Sequence, residues 1–300
     1  MTAAVARVPP AQDRAATVRS ALLVLVLGAL TVLVFYLPFR HLQAQDRSAP
    51  ALEMASMHMN RGTKFWAVPL LQASGFAALI WAYLGLALGL LETAAATRRR
   101  WLPLTPSARV RLHRQISLLV LGLVLVHAVA TACDAMGDNL LTAFVPFQEK
   151  YQPVVWSFDL GIFALYLALL VGPTYYARRW VGAKRWRIIH RLAGIVYLLA
   201  LWHTLLIGDD VAHYSWVHPL IWLLQIPLLL LLAERMLVQA GRIRSRNITS
   251  LERGEAGLPR AALIRTVSLA LAAMASLAIV GIVILVASGS YSSFIGSNPF

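Results

Sequence analysis

A chain of 300 residues, 59% hydrophobic and only 13% charged, is not a soluble domain, in which about a quarter of residues carry charge; it reads as an integral membrane protein. The formal net charge of +14 does not point to nucleic acid, because the basic residues fall in short clusters between apolar runs and so orient the chain in a bilayer. The single cysteine, Cys133, excludes an intramolecular disulfide framework and any Cys-rich zinc or iron–sulfur centre, which leaves histidine as the obvious ligand type.

A hydrocarbon core about 30 Å thick takes roughly 20 apolar residues at about 1.5 Å each. Seven runs meet that length. The first, Ala21–Pro38, follows a polar tail with Arg7, Arg14 and Arg19, and it is too long for a secretory leader and lacks a good small-x-small cleavage site. It is expected to stay as a span. The others are Phe65–Leu91, His113–Ala132, Val154–Ala177, Ile188–Ile207, Pro219–Val238 and Leu263–Ala287. The predicted fold class is therefore all-α, a polytopic membrane helical bundle of seven transmembrane helices. No tandem repeat is present.

Of the 27 Lys and Arg residues, a cytoplasmic N-terminus leaves only Arg40, Arg47, Arg61, Lys64 and Lys150 outside. The positive-inside rule thus places the C-terminus outside. Spans three and five then run the same way, from cytoplasm outward, and each carries a histidine near either end. His113 and His190 share a depth near the inner surface, His127 and His203 a depth nearer the outer one.

Fourteen residues separate His113 from His127, about 21 Å of rise, and thirteen separate His190 from His203, about 19.5 Å. The two pairs can face each other across one interhelical gap. Buried histidines need partners, and a planar porphyrin with two axial imidazoles fits the spacing, one haem near each leaflet. Helical phase is less even, because at about 100° per residue fourteen steps fall about 40° short of whole turns while thirteen miss by about 140°. Span five must bend or tighten, and Gly194 is a plausible place. Arg114 and Arg191 directly follow the inner pair and suit the carboxylates of a porphyrin, while Gly122 and Gly194 would let it approach the backbone. Tyr197 and Trp202 could lie near its edges.

These spacings on alternate spans, with the Trp186–His203 segment, resemble the ferric-reductase-like transmembrane domain shared by ferric reductases, NADPH oxidases and the haem-binding membrane subunit of the periplasmic methionine sulfoxide reductase system. The resemblance implies two b haems, the inner held by His113 and His190 and the outer by His127 and His203. It also implies electron passage from a cytoplasmic flavin to an acceptor outside, at the inner (plasma) membrane. The expected organisation is a cytoplasmic tail at 1–20, a six-helix bis-haem core at 21–239, a basic cytoplasmic loop at 240–262, a seventh helix at 263–287 and an outer tail at 288–300.

Flavin and nicotinamide domains, which oxidases carry after the sixth span, are replaced here by that loop and the seventh span, and no Gly-x-Gly-x-x-Gly motif occurs. FAD or FMN is expected only through a partner, either a separate flavin reductase docking on the basic face or, instead of flavin, a membrane quinol as donor. In the outer loops Met54, Met57, His58 and Met59 suit copper(I), and Asp209, Asp210 and His213 suit iron. They are candidates for holding a metal-ion substrate, and oxygen or a periplasmic redox partner are the other acceptors. Two rival readings stand beside this one. One is a quinol-linked di-haem cytochrome b subunit of a respiratory complex; the other is a haem-free transport or structural protein, disfavoured because the spans are expected to lack buried carboxylates apart from Asp159 near one end and ion pathways normally need more.

Overall fold

A computed structural model describes residues 10–45, 66–93, 104–133, 140–148, 155–207 and 216–252. The regular elements among them are helices: α1 Pro10–Gln45, α2 Ala67–Thr93, α3 Pro106–Ala132, α4 Leu140–Phe144, α5 Val155–Val171, α6 Thr174–Val181, α7 Ala183–His190, α8 Ala193–Ile207 and α9 Val217–Glu252. Lipid offers no water to the backbone, so an apolar run satisfies its own N–H and C=O groups by coiling. Among the described residues, five stretches can cross a bilayer by length and composition: Arg14–His41, Ala67–Glu92, Pro106–Ala132, Ala183–Ile207 and Val217–Val238. Taken together, α5 and α6 make a sixth. The protein is a multi-pass membrane protein. The seventh run, 263–287, lies outside the described residues.

The chain divides into two compact units, Met1–Gly89 with Pro103–Ala212 and Leu90–Leu102 with His213–Phe300. The second contributes α9, which carries Pro227 and in which the Gln225 amide donates back to the Ile221 carbonyl at 2.9 Å. That bond satisfies a polar group that lipid could not.

The first unit holds the other helices. Its longest, α1, is apolar all round, with Leu23, Leu25 and Val34 exposed where lipid would lie. Polar contacts fix its register: Gln115 on α3 donates to the Thr17 carbonyl at 2.9 Å and to the Ser20 hydroxyl at 2.8 Å, and Trp81 on α2 donates to Thr31 at 3.3 Å. Phe35, Phe39 and Phe76 pack their rings between α1 and α2.

A threonine cap starts α3, with the Thr105 hydroxyl accepting from the Ala108 N–H at 3.3 Å and Pro106 in the first turn, where its missing N–H costs nothing. Short α4 packs on α3, and the Tyr166 hydroxyl on α5 donates to the Phe144 carbonyl. Beyond α4, Phe147 takes a left-handed φ of 64°. Its N–H donates at 2.9 Å to the carboxylate of Asp159, which is 1% exposed on α5.

Two of the expected spans are interrupted. The run 154–177 bends by 50° between α5 and α6, because Pro173 has no N–H to continue the ladder and disfavours helical geometry at Gly172. The carbonyl of Val171 is taken instead by the Thr174 hydroxyl at 2.6 Å. Gly182 then turns the chain from α6 into α7 at φ 84°, a value that favours glycine. The second break, at Arg191 and Leu192, separates α7 from α8.

Candidate functional site

All four span histidines lie in the first unit, two on α3, one at the last residue of α7 and one on α8. The structure brings them together as pairs. The rings of His113 and His190 are 5.9 Å apart between centroids at 84°, and those of His127 and His203 are 6.1 Å apart at 85°.

Hydrogen bonds to main-chain carbonyls orient the rings of His113, His127 and His203. His113 Nδ1 meets the Gly85 carbonyl at 3.1 Å, His127 Nδ1 the Leu71 carbonyl at 2.7 Å and His203 Nδ1 the Ser157 carbonyl at 2.9 Å. A carbonyl can only accept, so Nδ1 carries the proton and Nε2 the lone pair. The fourth ring, His190, stacks on Trp186 at 5.2 Å and 19°.

The break between α7 and α8 accounts for the unequal spacings. There the N–H groups of Arg191, Leu192, Gly194 and Ile195 donate three residues back, to Ile188, Ile189, Arg191 and Leu192. A three-residue turn advances about 120° and 2.0 Å per residue, against about 100° and 1.5 Å in the α-helix. Five tightened steps and eight regular ones give about 1400° and about 22 Å; fourteen regular steps give about 1400° and about 21 Å. Thirteen residues with a tight turn thus match fourteen without one. The bend expected near Gly194 is present as this local tightening.

The arginines part company. Arg114 lies 5.9 Å and Arg178 4.4 Å from the Tyr175 ring, whose edge meets Trp186 at 6.2 Å. Arg191 is exposed, and its backbone N–H closes α7. No described protein atom lies within 4 Å of a Cβ placed on Gly122 or Gly194. Tyr197 is buried against the ring of Tyr83 at 6.5 Å. Met54, Met57, His58, Met59, Asp209, Asp210 and His213 lie outside the described residues, and among the described residues no group of three or more His, Cys, Asp or Glu is placed to hold a metal ion.

The separations of 5.9 and 6.1 Å between ring centroids are close to the about 6.2 Å that two imidazoles sharing one metal would show, given a bond of about 2.0 Å and a centroid about 1.1 Å behind the nitrogen, so each pair would suit one haem iron. Each site offers two imidazoles, and a porphyrin brings the other four donors itself.

Sequence reasoning missed what lies behind the rings. Gly75 and Gly89 of α2 stand beside His127 and His113, and Gly161 of α5 stands beside His203. A signal was present, since Gly75 and Gly89 are separated by the same fourteen residues as the histidines they face.

Comparison with known proteins gives one family. Residues 74–201 match the family described as "Ferric reductase like transmembrane component". Three of the four histidines fall inside that range, with His203 two residues beyond it. No curated protein matches the chain, and no solved structure does.

Proposed function

We propose, from the ferric-reductase-like transmembrane component at residues 74–201, that this membrane protein passes electrons across the bilayer on two b haems. The observation that carries the reading is the pair of imidazole pairs, each at the separation that a shared axial metal requires. His113 and His190 hold one haem near the cytoplasmic face, and His127 and His203 the other near the outer face. When bound, the haems supply one-electron iron chemistry.

The chain's residues do the rest. Main-chain carbonyls keep three Nδ1 atoms protonated, so that Nε2 is the donor atom. Arg114 and Arg178, close around Tyr175, offer guanidinium charge to carboxylates of the inner group. Arg191, exposed beyond the end of α7, contributes to the basic cytoplasmic face. That face, with Arg178, Arg179, Lys184, Arg185 and Arg187 on α6 and α7, receives a separate flavin-bearing donor. Electrons leave to an outer acceptor: ferric or another metal ion, oxygen or a periplasmic oxidoreductase.

The visible spectrum of the purified protein tests this. A reduced-minus-oxidised b-type difference with about two haems per chain is expected from two pairs of axial ligands. Replacing His127 or His203 by Ala should lower that to about one. Protein made with ample haem supply that carries none sinks the reading. Haem reduction by quinol alone, faster than by reduced flavin with a reductase, would replace the flavin donor with the respiratory one.

A further inference from the structure

The carbonyls that receive His127, His113 and His203 are followed, four residues later, by a glycine: Leu71 by Gly75, Gly85 by Gly89 and Ser157 by Gly161. Helix geometry gives the reason. The side chain of residue i+4 leans toward the preceding turn and covers the carbonyl of residue i. The described residues display the rule where Ser20, Thr31, Ser74, Ser117, Thr131 and Thr204 donate their hydroxyls to the carbonyl four residues back. At the three glycines no side chain covers the carbonyl, and the imidazole of a neighbouring helix lies there instead.

The space is already filled by the ring. A Cβ on Gly161 would come within 2.7 Å of His203 Cε1 and 2.8 Å of its Nδ1. On Gly75 it would meet His127 Nδ1 at 3.0 Å, and on Gly89 it would meet His113 Cε1 at 3.3 Å. A buried imidazole between helices has few other rotamers, so a methyl group here moves the ring off its acceptor.

We infer that Gly75, Gly89 and Gly161 are positioning residues of the electron-transfer centres, each uncovering one helical carbonyl so that it takes the Nδ1 proton of one axial histidine. The inference rests on the haem reading above. It assigns Gly75 and Gly161, on two different helices, to one haem through His127 and His203, and Gly89 to the other through His113. The carbonyl bond fixes the ring plane and makes Nε2 more basic, which favours ferric over ferrous iron. Losing it therefore raises the midpoint potential of that haem or weakens its binding by about tenfold to a hundredfold.

The test uses the full-length protein and four alanine variants, with haem per chain and the two midpoint potentials measured on each. Gly161→Ala should lose the haem of His127 and His203 or raise its potential, and keep the other haem unchanged. Gly75→Ala should act on the same haem, more mildly. Gly89→Ala should act only on the haem of His113 and His190, most mildly of the three. Gly28→Ala is the packing control, because its Cβ would press equally hard, at 2.6 Å, on the flexible end of Leu119 and on no histidine. It should leave both haems and both potentials as they were. Two haems with unshifted potentials in Gly161→Ala overturn the inference, as does the same loss of both haems in Gly161→Ala and Gly28→Ala. A wild-type protein without haem overturns the underlying reading instead, so the two failures are distinct.

Discussion

At the scale of single residues, the angle between paired rings carries chemical information. The imidazole planes cross at 84° and 85°, and each is set by packing and hydrogen bonds rather than by the metal. Near-perpendicular axial planes leave two iron d orbitals almost equal in energy, which gives ferric low-spin iron a highly anisotropic EPR signal. On the proposed reading both haems should show that signal in the oxidised protein; rhombic spectra of the parallel-plane kind would mean that the rings turn when haem binds. The identity of the four histidines as a set was legible in the sequence, since histidine in an apolar run is costly and four at matched depths are not scattered polar contacts. Their neighbours were not. Gly75 and Gly161 look like any helix-packing glycine until the ring against them is seen, and Tyr175 and Arg178 reach the Arg114 neighbourhood only because the chain bends first.

At the scale of elements, tightening between α7 and α8 makes a register prediction. Thirteen residues reach the same rotation as fourteen only with about five tight steps. Inserting one alanine after Leu192 allows a regular helix to reach the same phase, and the variant should retain about two haems per chain. Deleting Leu192 leaves twelve residues, and no comparable stretch of tight turn restores the phase, so that variant should hold about one haem or none by the same assay. Retention of both haems after the deletion would show that phase does not govern the pairing. Span existence was readable from apolar length alone, and the described stretches agree with it to within a few residues at most ends. The tightening in span five was legible too, because thirteen residues between its histidines miss whole turns. The bend at Pro173 was not, since composition does not say whether a proline in an apolar run kinks it or is absorbed.

At the scale of the whole molecule, the two histidine pairs draw on different parts of the chain. His127 and His203 rest on helix carbonyls from α2 and α5, one on each side. His113 rests on α2, and its partner His190 is the last residue of α7 and lies against Trp186. Membrane character and the pairing of His113 with His190 and of His127 with His203 could be read from residue order. Where α5 stops could not. The bend after Val171 leads into the arginine-rich segment of α6 and α7, whose last residue is His190, so one stretch of chain carries both the basic charge and a member of one histidine pair.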